Sequence, residues 1–194
     1  IKNDLIELVQ EENFIGWSTN MKWIKALNLQ QWADSIPAKV IFPALIADLI
    51  RATANSITEI RFPNGDKGQV RGYDGVLKAE GVAPYVPDGD SFWEFGVNEK
   101  LLDKANFDYE KRTREVAPEI RLKTTFVFAS LRTWDNPKVK LEDWLQEKRN
   151  SGKWKDIKLI DGSMLEDWLG VCPAVAAYYA RYHLELMPQV GVRS

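Results

Sequence analysis

The sequence predicts an α/β domain built on a mixed central sheet of about five strands, flanked by helices and preceded by an added N-terminal helical element. Apolar side chains follow helical spacing up to residue 56 and then alternate as in strands, in three consecutive segments that form a meander. Further along, helical segments alternate with short apolar strands, which is typical of β-α-β crossovers. We therefore expect one domain over residues 1–194, with an N-terminal extension (1–39), a core (40–171) and a C-terminal helix (172–194).

The predicted helices have broad apolar faces and recognisable ends. In chain order they are 3–12, 20–35, 41–56, 99–116, 140–152, 161–171 and 173–187. Pro43 suits the first turn of the 41–56 helix, because proline there loses no helical hydrogen bond. Asp161 and Ser163 are both suitable N-caps for the helix at 161–171.

The predicted strands are rich in aromatic and β-branched residues and are bounded by turn residues. They are 57–62, 69–80, 91–97, 122–131 and 155–160. The segment PNGDKG at 63–68 predicts the turn between the first two strands. The apolar segment 122–131 predicts a strand that is buried on both faces.

Composition and charge exclude several classes of protein. The net charge of −2 gives no global attraction to nucleic acid or membrane surfaces, and the single cysteine, Cys172, cannot form an intrachain disulfide. No apolar run reaches the roughly 20 residues of a membrane span. We therefore expect a cytoplasmic protein that does not enter a membrane. Because the chain begins with Ile1, we also expect it to be a processed piece or a module of a longer protein.

Two acids on consecutive predicted strands are the main candidates for chemistry. Glu94 lies within SFWEFGVNEK (91–100), and Asp74 lies in the second strand between Gly72 and Gly75. If the strand register brings these carboxylates together they repel, and a divalent cation such as Mg²⁺ relieves the repulsion. Two other interpretations remain open: Asp74 as a hairpin-turn residue, and Glu94 as an edge residue or the partner of an Arg or Lys.

The phrases GYDGVL, VPDGDSFWEFG, KANFDYEKRT and TTFVFASLRTW resemble the PD-(D/E)XK nuclease superfamily. Within it they are most similar to the Mrr-type modules found at the N-terminus of bacterial anti-phage defence proteins. The resemblance covers roughly residues 40–170. It implies a restriction-endonuclease-like fold and a metal-dependent endonuclease that hydrolyses DNA.

The resemblance also implies roles for individual residues. Asp74, Glu94 and the backbone carbonyl of Phe95 would bind Mg²⁺ or Mn²⁺, and a metal-bound water would attack the phosphodiester. The family's lysine falls at Gly96, so this sequence departs from the pattern. We predict that Lys104 supplies the missing catalytic amine; Lys100 is the second candidate, and Lys78, near the end of its own strand, is the third. The residues predicted to contact substrate are Gln69, Lys100, Arg112 and Arg132.

Two further hypotheses belong to other functional classes. Because of Gly96, the chain could be a nuclease-like fold without catalytic activity that serves as a binding or assembly module. Alternatively, its many Trp and Tyr side chains could form a protein-binding surface. The expected partners are DNA, further domains of a larger parent protein and, as a hypothesis, a second copy of the chain.

Overall fold

The computed structural model describes residues 22–62 and 74–186 and forms an α/β domain. Its helices and strands, in chain order, are α1 Ala26–Ala33, α2 Ile36–Thr53, β1 Ser56–Arg61, β2 Gly75–Glu80, β3 Gly89–Gly96, α3 Leu101–Glu115, α4 Pro118–Arg121, β4 Thr125–Ser130, α5 Leu141–Asn150, β5 Asp156–Ile160, α6 Gly162–Val171 and α7 Pro173–Tyr182. The predicted helix 3–12 and the predicted turn 63–68 lie outside the described residues.

The strands form a five-stranded mixed sheet in the order β1-β2-β3-β4-β5. The pairs β1–β2 and β2–β3 are antiparallel, whereas β3–β4 and β4–β5 are parallel. The predicted mixed sheet flanked by helices is thereby confirmed. Because β3, β4 and β5 run in parallel, their carboxyl ends meet at one edge of the sheet, where ligands bind in many α/β proteins.

Two apolar clusters pack on opposite faces of the sheet. Alternate residues of β4 point to opposite faces, so Val127 and Ala129 join the larger cluster with α1, α2, α6 and α7. Phe126 and Phe128 join the smaller cluster with α3 and α5. Every residue of β4 is buried, as the sequence predicted.

The start of α2 differs from the prediction. The helix begins at Ile36 and carries Pro37 in its first turn, so Pro43 lies inside the helix and its predicted first-turn position is wrong. A first-turn proline loses no intrahelical hydrogen bond, which explains why Pro37 starts the helix. The expected division between extension and core at residue 40 falls within α2.

Other expectations have clear outcomes. Asp161 caps α6, where its Oδ1 accepts hydrogen bonds from the amides of Ser163 and Met164 at 3.0 Å.

Within 22–62 and 74–186, no helix combines the length and apolar character that crossing a bilayer requires. The described tryptophan rings are mostly buried, which counts against an aromatic binding surface; the buried ones are Trp32, Trp93, Trp144, Trp154 and Trp168.

Candidate active site

The register of β2 and β3 brings the two predicted acids together. Gly75 pairs with Trp93 at the start of β2, and extending this register by one residue places Asp74 opposite Glu94. Asp74 was predicted in the middle of the second strand, but it lies just before the first residue of β2. At this position its side chain can turn toward the end of β3, since no strand pairing constrains it.

Asp74 contacts the backbone of β3 directly. Its Oδ2 accepts a hydrogen bond of 3.2 Å from the amide of Phe95. The amide and carbonyl of one strand residue face the same neighbouring strand, so the Phe95 carbonyl faces the same side as Asp74. A carboxylate oxygen and a carbonyl oxygen, both suitable ligands for a hard cation, thus lie at the carboxyl end of β3.

Glu94 is buried between the sheet and α3, and its partner is an arginine. The residue is 3% exposed, and its Oε1 accepts a hydrogen bond from Nε of Arg112. Arg112 also binds Glu115, with 2.6 Å between Nη1 and Oε2. The structure therefore contains the pairing of Glu94 with an arginine that the sequence left open. It also places Asp74 opposite Glu94.

The electrostatic environment of Glu94 favours its protonated form in the absence of a cation. Burial raises the pKa of Glu94 to about 8, and the negative charge of Asp74 adds to this increase. The hydrogen bond from Arg112 acts in the opposite direction but does not offset the burial.

The ring of Phe128 occupies the space that a side chain at position 96 would need, and the stem of Lys104 lies beside it. A Cβ placed on Gly96 would lie 2.6 Å from Cζ of Phe128 and 3.4 Å from Cγ of Lys104. Glycine therefore allows the Phe128 ring and the Lys104 stem to pack against the end of β3. This packing places the stem of Lys104 beside Gly96, the position at which the resemblance leads one to expect a lysine.

Asp108 is a residue that the sequence reasoning did not assign to the site. It is 2% exposed, and its Oδ1 accepts a hydrogen bond of 2.8 Å from Nζ of Lys104. Burial raises the pKa of Asp108, Lys104 opposes this increase, and the charge of Asp74 adds to it. The helical spacing of Lys104, Asp108 and Arg112 was visible in the sequence, but the burial of this charged face was not.

The predicted substrate-contacting residues have varied surroundings. Lys100 precedes α3 and is exposed, whereas Gln69 lies outside the described residues. Arg132 donates to the carbonyl of Val97 at 2.8 Å and binds Asp34. The Arg112 side chain is only 6% exposed and faces Glu94 rather than solvent, so its contact with substrate, like that of the others, stays a prediction.

The donor set fits a magnesium ion that retains several waters. Among residues 22–62 and 74–186, no group of three or more His, Cys, Asp or Glu side chains is arranged to hold a metal. Mg²⁺ commonly binds proteins through one or two carboxylates, with waters completing its shell. Asp74, Glu94 and the Phe95 carbonyl supply such a set.

Comparison of the chain with protein-family models, with curated proteins and with solved structures found no match. The function must therefore be inferred from the residues of the site.

Proposed function

We propose that this domain is a metal-dependent endonuclease that hydrolyses phosphodiester bonds of DNA. The observation that carries the proposal is the position of Asp74, which lies opposite Glu94 and hydrogen-bonds to the amide of Phe95. Two carboxylates and a carbonyl are thus gathered at one edge of the sheet. DNA as the substrate, and a role in bacterial defence, come from the resemblance described above.

The order of the elements supports this proposal. A helix (α2), a three-strand meander (β1–β3), a helix (α3) and a parallel strand (β4) follow one another as a restriction-endonuclease-like core requires. The candidate site lies where β2 begins and β3 ends, next to the crossover into α3.

The residues of the site would have different roles in hydrolysis. Asp74, Glu94 and the Phe95 carbonyl would hold the cation, which lowers the pKa of a coordinated water and offsets negative charge on the phosphate. Lys104 would place a positive charge beside the same phosphate. In the net reaction, the oxygen of water bonds to phosphorus and the bond to one sugar oxygen breaks, giving a phosphomonoester and a hydroxyl.

A catalytically inactive binding or assembly module is the second candidate, and one observation favours it. Position 96 is a glycine, and the ring of Phe128 fills the space that the Cβ of a lysine at this position would need. In addition, Oε1 of Glu94 already accepts a hydrogen bond from Arg112. A protein with this arrangement would retain the fold without cleaving nucleic acid.

A cleavage assay separates the two candidates. Purified protein is incubated with supercoiled plasmid, and separately with RNA, in EDTA, Mg²⁺ or Mn²⁺. We expect nicking that requires the metal and is lost in Asp74→Asn and Glu94→Gln. Asp90→Asn is the matched control, because Asp90 is an acid of β3 that pairs with Lys78 near the surface. Absence of nicking with either metal favours the inactive module, and cleavage of RNA alone would change the proposed substrate.

A further inference from the structure

The ion pair between Lys104 and Asp108 differs from an ordinary surface pair on a helix. The two residues are spaced i,i+4, a pattern that is usually solvated and contributes little to stability. Here the side chain of Asp108 is 3% exposed, whereas that of Glu115 on the same helix is 46% exposed. Burying a carboxylate carries a large desolvation penalty, so its presence here requires a partner and a reason.

Lys104, the partner of Asp108, is held at two points of its side chain. The stem of Lys104 passes over Gly96, with Cγ 3.4 Å from the position of a Cβ on that glycine. Its ammonium lies 2.8 Å from each carboxylate oxygen of Asp108, although only the contact with Oδ1 has hydrogen-bond geometry. A lysine side chain is otherwise flexible, so these two contacts determine where its charge lies.

The pair is also close to the acids of the candidate site. Arg112, one helical turn beyond Asp108, binds Glu94, and the stem of Lys104 lies against Gly96. Asp108 therefore anchors Lys104 on the same side of α3 that covers the end of β3. This position distinguishes Asp108 from the exposed acids of the helix, such as Glu110.

We propose that Asp108 is a positioning residue that holds the ammonium of Lys104, whose stem packs against Gly96 at the end of β3, on the side of the sheet that carries Glu94. It does not contact the reacting phosphate; it acts through Lys104. The lysine is thereby supplied from α3 instead of from the strand. The catalytic part of this inference rests on the proposed nuclease function, whereas the positioning of Lys104 does not.

The experiment compares Asp108→Asn, Asp108→Glu and the control Glu110→Gln, which removes an exposed charge from the same helix. The first readout is independent of activity. It is the ¹⁵N ammonium signal of Lys104 in NMR spectra of the folded protein, assigned through its loss in Lys104→Arg. Hydrogen-bonded ammonium protons exchange slowly enough to be seen. We expect the signal in the wild type and in Glu110→Gln, and its loss in Asp108→Asn.

The second readout is plasmid cleavage under Mg²⁺. We expect Asp108→Asn to lower kcat about 10- to 100-fold with little change in KM, as removal of outer-shell partners commonly does, while Glu110→Gln stays at the wild-type rate. Asp108→Glu keeps the charge and should restore part of kcat. A Lys104 signal that persists unchanged in Asp108→Asn overturns the positioning role, and so does an equal loss of kcat in both charge-removing variants.

The two readouts fail separately. If the wild type does not cleave, the proposed function fails, while the ammonium signal still decides whether Asp108 holds Lys104. If the protein cleaves but Asp108→Asn retains the wild-type kcat, the positioning role fails and the nuclease remains. Circular dichroism of each variant establishes that it is folded before either readout is taken.

Discussion

Arg112 donates from its Nε to the Oε1 of Glu94 at a place where neither side chain is more than 6% exposed. A buried carboxylate and a buried guanidinium each carry a large desolvation penalty, and each compensates the other only while both are present. The first prediction therefore concerns removal of one member of this pair.

At about pH 9, where Glu94 is ionised, replacement of Arg112 by Gln should destabilise the protein by about 3–5 kcal/mol, because the Glu94 carboxylate would remain buried without its cation. Urea denaturation in EDTA measures the change. Arg61→Gln is the control: Arg61 forms an exposed pair with Glu59, and its loss should change the free energy of unfolding by about 0–1 kcal/mol. The double variant Glu94→Leu with Arg112→Met should recover much of the loss. Equal effects of Arg112→Gln and Arg61→Gln would contradict this account.

The stability of the metal-free protein should fall as pH rises from about 5 to 8. The pKa of Glu94 in the folded state, about 8, exceeds its ordinary value of 4.5, so the folded state binds this proton more tightly than the unfolded state does. Glu94 therefore ionises in the unfolded chain first, and its share of the slope is at most about −1.4 kcal/mol per pH unit. Denaturation series in EDTA should show this slope in the wild type and in Asp90→Asn, and a smaller one in Glu94→Gln. Parallel curves for Glu94→Gln and the wild type would count against a raised pKa.

Introducing lysine at position 96 should not increase plasmid cleavage. A Cβ there would lie 2.6 Å from the Phe128 ring, so Gly96→Lys should lose about 1–3 kcal/mol of stability through overpacking. Gly170→Ala is the control, because its nearest contact would be 3.8 Å away and alanine favours the helix. Thermal denaturation and plasmid cleavage test the pair of variants. Higher cleavage by Gly96→Lys at unchanged stability would show that Lys104 does not substitute for the missing lysine.

Mg²⁺ should raise the melting temperature of the wild type, because a ligand that binds only the folded state stabilises it. At a concentration about 100 times the dissociation constant, the gain is about 2.7 kcal/mol. Asp74→Asn and Glu94→Gln should lose most of this shift, and Asp90→Asn should keep it, since Asp90 is not near the Asp74–Phe95 contact. A shift of the same size in all four proteins would place the binding of Mg²⁺ elsewhere.

Much of the fold is predictable because its strands and helices have distinct apolar periods. The segment around Phe126 and Phe128 reads as a doubly buried strand, and this is what the structure contains. The predicted start of α2 was wrong because Pro37 and Pro43 both suit the first turn of a helix. Sequence spacing alone does not choose between them.

The site was predictable only in part, because the sequence does not reveal which charged side chains are buried. Asp74 and Glu94 follow from the strand pattern, since an antiparallel register can place them opposite each other. The charged face of α3 has the composition of a solvated surface, so the burial of Asp108 and Arg112 could not be inferred. Tertiary packing against the end of β3 overrides what the local pattern indicates.

The two apolar clusters on opposite faces of the sheet separate the adjustable properties of this protein. The larger cluster, formed with α1, α2, α6 and α7, can accept or lose methyl groups with consequences mainly for folding. The smaller one contains Phe128, whose ring also lies against Gly96. Changes of volume at Phe128 should therefore shift the end of β3 as well as repack the smaller cluster.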